Sequence, residues 1–300
     1  MTNNMQKQKQ KGLWGQIIKT GIIKSNLIPM IAALMLALYT YNLSFIDHIP
    51  HIILAILGSA AVIGAAGAYN NVYDRDIDKL MPRTQTRPTV TGEVSAKQVL
   101  VAATALLVVG LVLLFLAKPL AALMGFLGVF FYVVPYTMWT KRRTIWNTEV
   151  GSISGAMPPL IGWAAVAPDI WHPAAWALFA IMVIWQMPHF YAIAIRKKVD
   201  YAAASIPMLP VVKGERRTYI QSNVYLVLLI LSSLLFLPLS LGLTIVSAVL
   251  GLIWLGMSII GYHKKEGTKW ANKMFAYSLF HMMFIFGTVV VYAAVGMVLN

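Results

Sequence analysis

The 300-residue chain has no cysteine, which excludes disulfides and thiolate metal sites. Charge is scarce too: Asp, Glu, Lys and Arg are 11% of the residues and hydrophobic ones 59%, outside the range of an ordinary soluble domain. Acids are the rarest charged class, ten against twenty-four Lys and Arg. No small-residue cleavage site follows the basic start "MQKQKQKGLWGQIIKTG", so the first apolar run is expected to be retained.

What the chain has is apolar length. Nine runs of roughly 18 to 25 residues are each long enough to cross ~30 Å of hydrocarbon as a helix. They lie near 22–41, 52–70, 98–117, 119–138, 148–167, 174–195, 219–239, 241–261 and 274–298. The expected fold class is all-α, a polytopic bundle of nine transmembrane helices. Residues 1–21 form a basic tail and 22–300 the membrane domain. Twenty-three of the twenty-four Lys and Arg residues fall on one side of this arrangement, and Lys118 alone falls opposite. Cytoplasmic loops collect Lys and Arg, so the N-terminus is expected inside and the C-terminus outside a cell membrane. The net charge of +14 then reflects topology and attraction to anionic headgroups and substrates, and nucleic acid is not needed to explain it.

Against that background, Asp74, Asp76 and Asp78 place three of the ten acids within five positions at the end of the second run. If that helix continues past the membrane edge, positions 70, 74 and 78 lie within about 80° of one another, with 71 on the same side. Asn70, Asn71, Asp74 and Asp78 would share a face and Asp76 would point elsewhere. Oxygen ligands of this kind suit Mg2+, which also draws on its substrate's phosphates. A solvated helix end paired with Arg75 and Lys79 is the plain alternative.

A second copy favours the metal. At one offset of 122 residues, Asp78, Pro88, Val90, Gly92 and Glu93 align with Asp200, Pro210, Val212, Gly214 and Glu215. Such repeats occur in membrane folds with a site at the repeat interface. Arg196, followed by Lys197 and Lys198, stands where the first copy has an acid. Between the copies, Lys141, Arg142 and Arg143 supply cations on the same membrane face, suited to holding a metal-bound diphosphate and stabilising its departure; taken alone, the triplet reads as a basic loop obeying the positive-inside rule. Gly151, Gly155, Pro158 and Pro159 should loosen the fifth span, and irregular backbone at membrane depth is tolerated where it lines a cavity. Asn147 and Glu149 lie at its inner end. Both face the site, or Glu149 pairs with Arg143.

His189 and His281 fall inside apolar runs, about 10–12 Å from the basic edge at 1.5 Å per residue. Ionisable side chains there are costly and tend to face the bundle interior, either as ligands or in a hydrogen-bonded packing role, the latter favoured for His281. Pro188 should bend the sixth span just before His189.

The first acidic stretch resembles the NDxxDxxxD motif of the UbiA superfamily of membrane prenyltransferases, with Asn71 in place of the usual acid. The region after span six is similar to the superfamily's second motif, DxxxD, of which Asp200 remains. The blocks "NVYDRDIDKLMPRTQTRP", "YTMWTKRRTIWNTEVGSISGAMPPLIGWAA" and "QMPHFYAIAIRKKVDYAAASIPMLPVVKG" resemble the heme-prenylating branch. The resemblance implies a central cavity open to the cytoplasmic side and transfer of the farnesyl group of farnesyl diphosphate to a vinyl group of heme b. On that reading Mg2+ is held by Asn70, Asp74, Asp78 and Asp200. Asp74, Asp78, Asp200, Lys141 and Arg142 are catalytic. Asn70, Asn71, Lys141, Arg142, Arg143, Arg196, Lys197 and Lys198 hold diphosphate, and His189 and His281 hold heme. The product would pass to a later heme-modifying enzyme or terminal oxidase. A prenyltransferase for an aromatic quinone precursor is the alternative in class, and a secondary transporter for an anionic substrate the alternative outside it.

Overall fold

The computed structural model describes residues 12–263 and 267–299. Lys7, Lys9 and Lys11 of the basic tail, and Lys264 and Lys265, lie outside the described residues. Among those described, all regular structure is helical.

Among the described residues, eight helices are long and apolar enough to cross a membrane. They begin with α1 (Thr20–Thr40), α2 (Ile49–Tyr73), α3 (Ala96–Ala117) and α4 (Pro119–Phe131), the last running on as a π-helix over Tyr132–Thr140. The expected fifth span is broken into α5 (Asn147–Gly155) and α6 (Met157–Ala164), so the ninth crossing is not one continuous helix. Then come α7 (Pro173–Arg196), α8 (Gly214–Ser232, extended by a 3-10 turn over Ser233–Phe236), α9 (Leu241–His263) and α10 (Thr268–Leu299). Consecutive helices pack side by side, and α10 returns to α1 to close the ring. Outward faces are apolar: α3 exposes Val101, Val108, Val112, Phe115 and Leu116. With no aqueous partner suited to such a surface, this is a multi-pass membrane protein.

The break in the fifth span follows from its sequence. Pro158 and Pro159 have no N–H to offer the carbonyls of Ser154 and Gly155, so the ladder lapses at Ala156. Gln186 of α7 packs beside the break, its Nε2 donating to the Ser152 carbonyl at 3.0 Å. α6 then lies close against α1, where a Cβ on Gly162 would sit 2.0 Å from the Met30 carbonyl oxygen. Lys118, at the end of the bundle away from the basic cap, donates to the carbonyls of Val166 and Ala167 at 2.8 and 2.7 Å and so caps that end of the broken span.

The internal repeat has a structural counterpart. Short helices over Pro88–Thr91 and Leu209–Val212 are each followed by a glycine in the left-handed region, Gly92 at φ +82° and Gly214 at φ +76°. Only glycine enters that region without steric cost. Arg83 of the first loop meets Asp200 of the second at 3.5 Å, and Ile77 and Met81 pack with Ala204, Ile206 and Met208 beneath them. The two loops thus form one cap at the basic end.

Candidate active site

The helical path of α2 does continue beyond Tyr73. Asp74 N–H donates to the Asn70 carbonyl at 2.9 Å and Asp78 N–H to the Asp74 carbonyl at 2.8 Å, through the short helix Arg75–Asp78. That register puts Asn70, Asp74 and Asp78 on one inward face. Asp74 is fully buried, whereas the Asp76 side chain on the opposite face is 64% exposed.

Cations from three separate elements converge on this face. Lys141, at the end of the π-helix, pairs with Asp74 Oδ2. Arg87 meets Asp78 Oδ2 at 2.5 Å. Lys19, just before α1, donates its ammonium to Asn70 Oδ1, and Asn70 Nδ2 in turn donates to Asp74 Oδ2 at 2.7 Å. Burial pulls the Lys19 ammonium down to about 7; the charges of Arg87 and Lys141 add to the fall, and Asp74 and Asp78 oppose it. Its position just before a span made Lys19 look like an ordinary topological charge, and the sequence carried no signal of its contact 51 residues away.

Asn71 and the other candidate cations are placed differently. Asn71 Nδ2 donates to the carbonyls of Gln16 and Ile17 at 3.2 and 2.8 Å, closing the helical turn at residues 12–17, and its buried Oδ1 has no partner among the described residues. Arg142 grips the exposed Asp76 at 2.6 and 2.8 Å and reaches Asp74 Oδ1 at 3.5 Å. Its hydrogen bonds hold Asp76 below the usual carboxylate range. Arg143 is exposed. Arg196 lies over the Phe275 ring at 4.3 Å, Lys197 is half-buried, and Lys198 pairs with Glu215 at 3.5 Å on the surface. The structure therefore gathers Lys141 and Arg142 at Asp74, while Arg196 lies against α10 and Lys198 against the start of α8.

Beneath the charged cap lies a cavity of about 440 Å3, lined by Lys19 and Arg83 at its mouth and by Tyr132, Tyr136, Asn147, Gln186 and His189 among apolar side chains. The π-helix presents Tyr132 and Tyr136 there, and such wide turns recur at functional sites. Gly151, Ser154 and Gly155 of the broken span form another wall, so the irregular backbone lines a cavity as expected. Asn147 faces this space. Glu149 turns away to accept from Tyr191 Oη and from Gln221 Nε2 at 2.9 Å, not from Arg143.

His189 lines the cavity, stacked between Trp185 (centroids 4.8 Å apart) and Phe275 (5.2 Å). His281 is wholly buried against Trp254 at 5.3 Å, with both ring nitrogens unpartnered and outside the cavity lining.

Among the described residues, no three His, Asp or Glu side chains form a ready-made metal cage. The donors at Asp74 nevertheless fit a hard cation that takes few protein ligands. They are all oxygen, and Asp74 Oδ1 is buried with no hydrogen bond, its neighbour Arg142 being 3.5 Å away. Mg2+ fills its octahedron with water and phosphate oxygens, which suits a site where cations already stand ready for a phosphate.

A charged two-loop cap over an apolar chamber in a helical ring is the architecture of a membrane prenyltransferase. Residues 26–286 match the model of the UbiA prenyltransferase family, and the chain belongs to that family. It is 64% identical to protoheme IX farnesyltransferase 2 of Lysinibacillus sphaericus, covering 97% of this chain and 93% of that one. It is 60% identical to protoheme IX farnesyltransferase 1 of Bacillus cytotoxicus, covering 98% and 96%. Among solved structures, a UbiA homolog from Archaeoglobus fulgidus bound to DMAPP and Mg2+ superposes with a TM-score of 0.74 at 16% identity, over 96% of this chain and 100% of that one.

Proposed function

We propose that this enzyme transfers the farnesyl group of farnesyl diphosphate to a vinyl group of heme b, with water completing the addition to give heme O. The observation that carries this reading is the pairing of a cation-and-carboxylate cap with an imidazole inside the apolar chamber below it. A prenyl diphosphate needs the first, and the iron of a porphyrin suits the second. Identities of 64% and 60% to proteins named for this activity support it. A quinone precursor would leave His189 without a role, and a transporter would place its acids near the midplane.

Asp74 and Asp78, with Asn70, are the residues that would hold Mg2+, and Asp200, paired with Arg83 in the second loop of the cap, would join them. When bound, the ion offsets charge on the departing diphosphate. Arg87 and Lys141, released from the carboxylates, and Lys19, released from the Asn70 amide, turn to the diphosphate oxygens; Arg142 keeps its post beside Asp74. The allylic C–O bond then breaks in a chamber lined by Tyr132, Tyr136 and apolar side chains, which keeps bulk water from the cation. The vinyl carbon bonds to farnesyl C1, and one water molecule adds at the neighbouring carbon with loss of a proton. The more hydrophobic product stays in the bilayer for a later heme-modifying enzyme or terminal oxidase.

The decisive experiment compares hemes extracted from membranes with and without this protein. A new, more hydrophobic heme that depends on farnesyl diphosphate is expected, and its absence overturns the assignment. Lys19→Gln is expected to weaken farnesyl diphosphate binding about ten- to a hundredfold, the worth of a charged hydrogen bond. Isothermal titration of the purified enzyme measures it.

The cap faces the cytoplasm in this reading, with the first span entering from inside, because nearly all the basic residues lie at that end. Residues 1–21 are the basic cytoplasmic tail in this reading, with Lys19 reaching the cap. A cysteine placed at Lys141 in this cysteine-free chain should be labelled only from the inner side. Labelling from outside alone would invert the topology.

A further inference from the structure

The ring of His189 makes one side-chain hydrogen bond, from Nδ1 to Ser278 Oγ of α10 at 2.6 Å. The same Oγ lies 2.5 Å from the Phe275 carbonyl oxygen. Each of these contacts needs a hydrogen between its two atoms, and serine has only one. A carbonyl oxygen carries none, so the serine proton must go to Phe275. The proton between the ring and Oγ must then come from the ring. A neutral imidazole with its hydrogen on Nδ1 carries its lone pair on Nε2.

We infer that Ser278 is a positioning residue that fixes the Nδ1–H tautomer of His189 and so keeps the Nε2 lone pair available to the iron of the heme substrate. This rests on the reading of His189 as an axial ligand. The surroundings are built for it. Trp185 Nε1 donates to the Ser278 backbone carbonyl at 3.1 Å, so residue 278 anchors both the stacking indole and the ring that it covers. Trp185 and Phe275 lie nearly parallel to the imidazole, at 18° and 28°, which leaves the choice between the two ring orientations related by a 180° flip to be set by the hydrogen bond. Imidazoles that bind metals generally donate their other N–H to such a partner, and losing it costs about ten- to a hundredfold in metal affinity.

Ser278→Ala removes one oxygen from a buried helical position and leaves the backbone carbonyl that holds Trp185. The first measurement is two-bond 15N–1H coupling in histidine-labelled protein without heme, with the His189 signals assigned by their loss in His189→Ala. Wild type should show the proton on Nδ1, and Ser278→Ala a shift toward the other tautomer. The second is spectral titration with heme b, in which Ser278→Ala should bind about ten- to a hundredfold more weakly while farnesyl diphosphate affinity is unchanged. A wild-type proton on Nε2, or an unchanged tautomer and heme affinity in Ser278→Ala, overturns the role of Ser278. An unchanged titration in His189→Ala instead sinks the ligand reading beneath it, whatever the tautomer.

Discussion

Alanine at Asp74 or Asp78 is expected to slow prenyl transfer at least about a hundredfold, while alanine at Asp76 costs roughly fivefold at most. Losing one ligand of a diphosphate-bound metal removes about 3 kcal/mol of transition-state stabilisation. Asp76 serves another purpose, since it is largely exposed and holds Arg142 from outside, and exposed ion pairs are worth about 0.2–1 kcal/mol. The three acids lie within five residues, so a general effect of lost negative charge would strike them alike. A structural effect needs its own control. Asp74→Ala strands the buried ammonium of Lys141, and an unpaired buried charge destabilises by about 3–5 kcal/mol. Asp74→Asn keeps the volume and an oxygen acceptor, so thermal unfolding in detergent near the wild-type midpoint together with lost Mg2+-dependent turnover separates chemistry from folding. Equal tolerance of alanine at all three positions would return the acids to the role of a solvated helix end.

The inward face of Asn70, Asp74 and Asp78 was legible in the sequence because it is local, set by a four-residue spacing that any continuing helix obeys. The break in the fifth span was legible for the same reason, since Pro158 and Pro159 remove donors wherever the helix sits. The π-helix over Tyr132–Thr140 was not, because an apolar run reads alike in either hydrogen-bond register, although Pro135 lies within it. Contacts across the ring were the least visible. Lys19 to Asn70 spans 51 positions, Gln221 to Glu149 spans 72, and His189 to Ser278 spans 89. Charge count at one membrane face accounts for Lys19 and Arg196 equally well, yet one lies among the carboxylates and the other over Phe275. The repeat is the exception. Matching residues 122 apart marked two loops that meet through Arg83 and Asp200.

His189→Ala is expected to weaken heme b binding at least about a hundredfold and to shift the Soret band, with farnesyl diphosphate binding nearly unchanged. Loss of a ligand should cost no less than loss of the partner that orients it. The two substrates separate because their sites separate: the diphosphate cations come from Lys19, Arg87 and Lys141 at the cap, while His189 stands seven residues before Arg196, about 10 Å deeper at 1.5 Å per residue. That depth leaves the porphyrin edge within reach of basic residues at the mouth, with Arg196 on the same helix already over Phe275 beside the imidazole. His281→Ala is the internal control. Its ring is packed against Trp254 outside the cavity lining, so the variant should titrate heme as wild type does even where stability falls. A Soret position and affinity in His189→Ala matching the wild type would remove the imidazole from the iron and leave it as one ring in a stack of three.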